Sequence, residues 1–240
     1  TIILDVAAGW SFLSVAMGAE ATTTLHEVSR AAVSSDKDTF KRMILSVNDK
    51  LSFLATGAEP LLDDLVTSES FELIINRLMQ SYPIVIVDLS RAPAAIMRAV
   101  LARANEVNVV TTPTLPSLRA ARGLMQELRT LRGGVENGLH LVVNMKGITQ
   151  GQDISDADIQ SAIKIKSVLS LPFIPKVFST ADAQGKKILD VVGGKDIHNS
   201  VLKFLIDDIR FVGESRNTDS SKNTAPAGLL GGLLGKLKTK

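Results

Sequence analysis

The 240-residue chain contains no cysteine, one tryptophan, one tyrosine and three histidines. The absence of cysteine excludes a disulfide framework and thiolate metal sites, and it is typical of a cytoplasmic protein. The histidines, His26, His140 and His198, lie far apart without ligand spacing. This pattern favours three unrelated histidines over a metal centre.

The chain also lacks a strong charge of either sign, with a formal net charge of +2. The tail from Glu214 carries five basic and two acidic residues, a net charge of +3, which leaves −1 for residues 1–213. A near-neutral body argues against a broad phosphate-binding surface, so we expect no nucleic-acid partner.

No apolar run is long enough for a transmembrane helix. The opening residues, 1–19, are apolar, but they lack a basic start, contain Asp5 and fall short of the roughly 18 uncharged residues that a span requires. We predict a buried strand and a turn there. Because the chain starts inside an apolar strand, we expect a longer parent polypeptide.

The stretch from Pro83 to Met125 organises the rest of the chain. Two β-branched runs, Ile84–Val87 and Val107–Val110, flank an amphipathic helix and are followed by Asp88 and by Thr111 and Thr112. A strand without a polar face predicts a central position in a parallel sheet, covered on both sides. Ligands bind at the carboxyl ends of such strands, so Asp88 and the turn Thr111–Pro113 are predicted at the functional edge.

Strands alternate with helices along the remaining sequence. The other predicted strands are Thr1–Val6, Leu51–Thr56, Leu139–Asn144 and the edge-like Leu171–Pro175, and a loop covers residues 7–18. The other predicted helices are Thr24–Val33, a segment from Ser35 or Asp36 to Leu45, Ser68–Tyr82, Ser117–Arg132, Ser155–Leu169, Ser179–Val191 and His198–Val212. This order predicts an α/β fold, a three-layer sandwich with a mainly parallel, doubly wound sheet.

The predicted domain is residues 1–213, followed by a polar linker, 214–227, and a short tail, 228–240. Five tail leucines form one helical stripe, followed by lysines. The pattern predicts an amphipathic helix that contacts either a membrane surface or a partner protein.

Several motifs along the chain follow a familiar order: VIVDLSRAP, Thr112-Pro113, Ser117-Leu118-Arg119, Ala121-Arg122, Val142-Val143-Asn144, Leu171–Lys176, and Ala181 with Gly185. Together they resemble the MinD/ParA superfamily of deviant Walker ATPases, closest to the CpaE/TadZ proteins of type IVb (Flp/Tad) pilus assembly. The resemblance implies a P-loop NTPase-like fold of the MinD type, ATP and Mg²⁺ as cofactors, and a homodimer. It further implies contacts with pilus or secretion components, and a cytoplasmic location that includes the inner face of the membrane or a cell pole.

The resemblance also assigns roles to residues. Asp88 would hold Mg²⁺ through a water, and Asp5 would be a catalytic-site acid. Asn144 would bind the adenine edge, with Phe173, Ile174 and Pro175 as a wall of the pocket, and Thr112 and Pro113 would shape the nucleotide-side turn.

Each of these roles has a structural alternative. Asp88 could cap the following helix, Asn144 could form an ordinary turn, and Thr112 and Pro113 could serve packing. Arg119 and Arg122 lie on the helix after that turn, and they suit a solvated face better than a site.

Two departures from the superfamily pattern affect the chemistry. No phosphate loop of the form K-G-G-x-G-K-S/T occurs in the 240 residues. Backbone amides and a lysine cradle the phosphates in such loops, so we expect the loop upstream of Thr1 and a nearly inactive chain without it. The usual D-x-D of the first strand is Asp5-Val6-Ala7 here, and we therefore expect the intact parent to hydrolyse ATP slowly.

Three functions remain open from the sequence. The first is a CpaE/TadZ-like localisation factor with a nucleotide-dependent dimer. The second is a non-catalytic scaffold that keeps a degenerate P-loop fold, and the third is a ParA-like DNA partitioning ATPase.

Overall fold

The computed structural model describes residues 1–7, 12–34, 37–57, 66–149, 151, 154–165 and 168–209. Its strands are β1 (Ile2–Ala7), β2 (Leu45–Asn48), β3 (Leu51–Ala55), β4 (Val85–Arg91), β5 (Val107–Thr111), β6 (Leu139–Lys146) and β7 (Val168–Pro172). Its helices are α1 (Phe12–Ala16), α2 (Leu25–Val33), α3 (Lys37–Arg42), α4 (Ser68–Ser81), α5 (Ala94–Arg103), α6 (Leu115–Leu131), α7 (Asp156–Ile163), α8 (Pro175–Gln184) and α9 (Lys195–Asp207), with a 3-10 turn at Ile188–Asp190.

The strands form two hydrogen-bonded sheets in the described part of the chain. The first has the order β2-β3-β1-β4, parallel except for the β2–β3 hairpin. The second has the parallel order β5-β6-β7. The predicted α/β architecture of mainly parallel strands with helices on both sides is confirmed.

Each sheet packs against helices through its own apolar core. The first core joins Ile2, Leu4 and Val6 of β1 to residues of α2 and α4. The second core joins β5 and β6 to α6 and α7. Helix α5 contacts both, through Ile96 and Val100 in the first core and Leu101 and Ala104 just after it in the second.

Local capping signals place the helix ends where the sequence predicts them. Thr24 and Glu27 form a capping box at the start of α2, and Ser155 accepts a hydrogen bond from the Asp158 amide at the start of α7. Gly133 and Gly134 both have positive φ immediately after α6. A residue with a Cβ is strained in that conformation, which explains the glycines at this stop.

Several boundaries differ from the predictions. The predicted loop of residues 7–18 contains α1, and the helix predicted after Asp36 ends at Arg42, where the chain turns into β2. Helix α7 ends early because Lys164 adopts a left-handed conformation, so residues 168 and 169 lie in β7. The helix predicted over Ser179–Val191 begins at Pro175 and ends at Gln184.

The prediction of a covered central strand is wrong for β4 in this structure. None of its seven residues is buried, and Ile86 is 49% exposed. The strand is hydrogen-bonded to β1 on one side, and it forms the edge of its sheet on the other.

Residues 210–240, with the predicted linker and tail, lie outside the described residues, as does Trp10. Across the described ranges, no helix has the length and apolar character needed to cross a membrane.

Candidate functional site

Two carboxylates are neighbours at the carboxyl ends of β1 and β4. Asp5 is paired with Asp88 in the parallel register, so both side chains lie on the same face of the sheet. Asp5 is 5% exposed and Asp88 is half-buried. The structure therefore brings together the two acids that the sequence placed at two strand ends.

A β-bulge positions Asp88. The β1–β4 register shifts after this pair, because Leu89 and Ser90 of β4 lie opposite Val6 alone. The Ser90 amide donates to Asp88 Oδ1 at 2.9 Å. Bulges of this kind redirect side chains near sites. Asp88 thus stabilises a bulge within the strand, and it does not cap a helix, which was the structural alternative.

Two threonines beside the end of β3 hold the backbone around Asp5: Thr56, which is buried and follows β3, and Thr23, which is partly buried and precedes α2. Thr56 Oγ1 donates to the Asp5 carbonyl at 2.7 Å, and Thr23 Oγ1 donates to the Ala55 carbonyl at 2.8 Å. These bonds satisfy carbonyls at the end of a buried sheet, where an unpaired group would be costly. Sequence analysis missed both threonines, since neither belongs to a motif.

Hydroxyl groups form a chain at the carboxyl end of β5. Thr112 Oγ1 donates to Ser117 Oγ at 2.9 Å, and Thr114 Oγ1 donates to the same oxygen at 3.0 Å. Pro113 between them is buried. The turn is therefore held by its own side chains, in keeping with a shaping role for Thr112 and Pro113.

A second bulge holds Asn144 at the end of β6. Asn144 and Met145 lie opposite Leu171 alone, between the pairs Val143–Ser170 and Lys146–Pro172. Met145 has φ 61°, and its amide donates to Asn144 Oδ1 at 2.9 Å. The left-handed conformation is unfavourable for methionine, and such strain is concentrated at functional positions.

The segment after β7 lies beside this bulge. The Phe173 amide donates to the Lys146 carbonyl at 2.6 Å, and the Phe173 side chain is partly exposed. Ile174 is the N-cap residue of α8, and Pro175 is its first residue. The Phe173–Pro175 segment therefore begins next to the bulge that contains Asn144.

The ammonium group of Lys146, two residues after Asn144, is already bonded within the protein. Its Nζ lies 3.0 Å from Asp156 Oδ1 and donates to the Ile154 carbonyl, and Ser170 Oγ donates to the same Asp156 oxygen at 2.9 Å. The sequence gave no indication of this cluster, because it joins β6, α7 and β7.

Other candidate residues lie outside this group. Arg119 and Arg122 are exposed on α6, which suits a solvated face. His140 is buried, with Nε2 2.6 Å from Glu106 Oε2 and its ring edge-on to Phe204 at 5.5 Å between centroids. Within the described ranges, no group of three or more His, Asp or Glu side chains is arranged to hold a metal ion.

Neutralising Asp88 is expected to stabilise the fold. Like charges side by side in a sheet destabilise it, so Asp88→Asn should raise the free energy of unfolding by about 0.5–1 kcal/mol, because the asparagine oxygen still accepts from Ser90. Urea unfolding measures the change. Glu127→Gln, which neutralises an exposed acid on α6, is the matched control and should be nearly neutral. A loss of stability in Asp88→Asn would show that the carboxylates do not repel each other.

Parallel strands with polar residues at their carboxyl ends, covered by helices on both sides, define a doubly wound α/β fold. The fold resembles that of a ParA family ATPase from Chlorobium tepidum TLS, at a TM-score of 0.66 and 18% identity over 85% of this chain and 83% of that one. It also resembles MinD from Aquifex aeolicus in its complex with MinC, at a TM-score of 0.65 and 18% identity over 85% of this chain and 82% of that one. A third similar structure is MinD from Pyrococcus horikoshii complexed with Mg-ADP, at a TM-score of 0.62 and 16% identity over 85% of this chain and 79% of that one.

The chain therefore has the fold of the MinD/ParA ATPases. Comparison of the sequence with protein-family profiles and with curated proteins gives no match.

Proposed function

We propose that this protein is a CpaE/TadZ-like localisation factor, which binds ATP, forms a homodimer and places pilus or secretion machinery at the inner face of the membrane or a cell pole. The observation that carries the proposal is the placement of Asp88 and Asn144. Asp88 lies directly before a β-bulge of β4 and Asn144 lies within a β-bulge of β6, each at the carboxyl end of a parallel strand, in a fold shared with cell-division and partitioning ATPases.

The carboxylate pair fits Mg²⁺. This ion takes oxygen ligands, keeps several waters and is commonly bound through one or two carboxylates together with substrate phosphates. Asp88 would hold it through a water, with Asp5 beside it, and the ion would neutralise phosphate charge when bound. Because position 7 is alanine, no second carboxylate of β1 would orient water, and ATP hydrolysis would be slow.

The second sheet would bind the base. An asparagine amide offers a donor and an acceptor, which suits the edge of adenine. Asn144 Oδ1 accepts from Met145, which fixes the amide group, and a carbonyl-type oxygen has a second lone pair for a ligand. Phe173, Ile174 and Pro175 would form an apolar wall, and Thr112 and Pro113 would shape the turn.

The assignment to pilus assembly rests on the sequence motifs of α6 and of the segments before and after it. The motif residues Ser117, Leu118 and Arg119 lie in the first two turns of α6, directly after the hydroxyl-bonded turn at Thr112.

A non-catalytic scaffold is a second candidate, and Ala7 favours it. In the register this residue lies opposite Arg91, one position past the bulge, so the end of β1 offers no second acid. A ParA-like DNA partitioning function is third. The net charge of −1 over residues 1–213 opposes it.

Sedimentation velocity of the full-length polypeptide separates these candidates. The proposal predicts a dimer with ATP and a monomer with ADP, and the loss of the ATP-induced dimer in Asn144→Ala. The variant Arg122→Ala, on the exposed side of α6, is compared with the unchanged protein in the same way. Loss of its ATP-induced dimer would show that this surface of α6 is part of the dimer interface. The same sedimentation with every nucleotide would favour the scaffold, and ATP-dependent co-migration with non-specific duplex DNA would favour partitioning.

A further inference from the structure

One carboxylate connects the two sides of the bulge in β6. Asp156 is the first residue of α7, and its Oδ1 lies 3.0 Å from Lys146 Nζ and accepts from Ser170 Oγ at 2.9 Å. In the register of β6 and β7, Ser170 belongs to the last pair before the bulge, and Lys146 belongs to the first pair after it. Asp156 therefore bonds to one residue on each side of the bulge. We refer to Asp156, Lys146 and Ser170 as the carboxylate clamp.

The bulge determines which face of the sheet Lys146 reaches. Val143 packs in the core that β6 shares with α7, so its side chain lies on the α7 side of the sheet. In a regular strand, residues three positions apart point to opposite faces, so Lys146 would point away from α7. The extra residue of the bulge reverses this direction, and Lys146 Nζ donates to the Ile154 carbonyl just before α7. The contact between Lys146 and Asp156 therefore requires the bulge.

The bulge also requires an unfavourable conformation of Met145. Its φ of 61° lies in the left-handed region, which glycine adopts freely and methionine rarely does. A regular strand would remove this strain, but it would also break the contact of Lys146 with Asp156 and the bond from the Met145 amide to Asn144 Oδ1. The bonds of the carboxylate clamp thus offset the strain at Met145.

The carboxylate clamp is suited to holding a local conformation rather than to stabilising the whole fold. The side chain of Lys146 is 22% exposed and that of Asp156 is 49% exposed. Ion pairs with this much solvent contact contribute little to the free energy of unfolding, because water screens the charges. The geometry of the bulge can still depend on them, since the alternative to the bulge is a regular strand of the same residues.

We propose that Asp156 is a positioning residue for base recognition: through the carboxylate clamp it holds the bulge that presents the Asn144 amide to adenine. The inference rests on the proposed function, in which Asn144 binds the base. It adds the residues that hold Asn144 in place, and these lie on α7 and β7 and not in the motif around Asn144.

A fixed amide accounts for a preference between bases. The Met145 amide donates to Asn144 Oδ1 at 2.9 Å, which holds the side-chain amide in one orientation. Adenine offers an amino donor where guanine offers a carbonyl acceptor. An amide held in one orientation distinguishes these two groups, whereas an amide that can rotate pairs with either. Loss of the carboxylate clamp should therefore weaken both the binding of adenosine and its preference over guanosine.

Removal of the carboxylate tests whether the clamp holds the bulge. In Asp156→Ala, the amides of Met145 and Phe173 should exchange with solvent at least about tenfold faster, since the Phe173 amide donates to the Lys146 carbonyl directly after the bulge. Asp156→Asn keeps an acceptor oxygen at the same position, so it should retain most of the protection. The urea midpoint of unfolding should change little in either variant, because the ion pair is partly exposed.

The matched control is Asp158→Ala. This variant removes an acid and its bond to Ser155 from the same first turn of α7, but it leaves the carboxylate clamp intact. Exchange of the Met145 and Phe173 amides should be unchanged. Exchange as fast as in Asp156→Ala would show that loosening of α7 in general opens the bulge, which would overturn the proposal.

The variant Met145→Gly separates positioning from packing. Glycine adopts the left-handed conformation without strain, so the bulge no longer needs the clamp. Adenosine binding, followed by amide chemical shifts of the 240-residue chain, should weaken at least about threefold in Asp156→Ala. It should weaken by less than about twofold when Met145→Gly is combined with Asp156→Ala. A combined variant that binds as weakly as Asp156→Ala would overturn the proposal.

Two results distinguish a failure of this inference from a failure of the proposed function. Amide exchange and adenosine binding that are the same in Asp156→Ala and in the unchanged chain would overturn the inference alone. Absence of adenosine-induced shifts at Asn144 and Met145 in the unchanged chain would contradict the proposed function and the inference together.

Discussion

Deletion of residues 228–240 is expected to abolish binding of this protein to anionic liposomes. Leu229, Leu230, Leu233, Leu234 and Leu237 fall on one stripe of a helix, and Lys236, Lys238 and Lys240 follow or interleave with them. This combination suits a helix that lies in a membrane surface, with leucines toward the acyl chains and lysines toward anionic headgroups.

The free energy gained by burying the leucines is similar in size to the free energy needed to order the tail as a helix, so one tail should bind the membrane weakly. Each buried leucine could contribute up to roughly 2 kcal/mol, and each of the four glycines costs about 1 kcal/mol in a helix. Ordering the other backbone residues costs about 1 kcal/mol each. Two tails on a dimer would bind far more firmly through effective concentration, which would couple dimerisation to membrane attachment.

Co-sedimentation with liposomes measures this binding. The full chain should pellet with anionic vesicles, weakly with neutral ones, and less as salt rises. A chain with the same tail residues in scrambled order, which breaks the leucine stripe, is the matched control and should stay in solution. Equal pelleting by the deleted chain would contradict the membrane role, and binding to a partner protein that depends on the same stripe would favour the docking alternative.

The sequence predicted helix ends well where residues within one or two turns of the end determine it. The helix starts predicted at Thr24 and Ser155 and the helix end predicted at Arg132 depend on the Thr24–Glu27 pair, on Ser155 and on Gly133-Gly134, which act within one or two turns. The left-handed Lys164 ended α7 without such a signal, because a lysine in that conformation is unusual. The hairpin of β2 and β3 was also missed, since Ser46 and Asn48 alternate with apolar residues over only four positions.

Strand order, in contrast, could not be derived from the sequence. Asp5 and Asp88 are 83 positions apart, and their pairing exists because β4 adds to β1 on the side opposite β3. The expected burial of β4 also failed for this reason, because a run of apolar residues does not show which place the strand takes in the sheet. The bulges at Asp88 and Asn144 depend on register, which a single sequence does not reveal.

The second large effect concerns nucleotide affinity. The 240-residue chain is expected to bind ATP with a dissociation constant no better than about 1 mM, near 4 kcal/mol, because the sequence contains no phosphate-cradling loop and no accompanying lysine. The residues proposed to contact the base, Asn144 and Phe173, belong to the 240-residue chain, so adenosine should bind nearly as well as ATP. A phosphate loop joined to the same fold would separate the two affinities by orders of magnitude.

One titration tests this central claim most directly: isotope-labelled chain, followed by amide chemical shifts, with adenosine, ATP and GTP in parallel. The account predicts millimolar dissociation constants for adenosine and ATP that agree within about tenfold. The shifted amides should centre on Asn144, Met145 and Phe173, and GTP should shift them less. Micromolar ATP binding, or ATP-dependent shifts that leave these three amides unchanged, would contradict it.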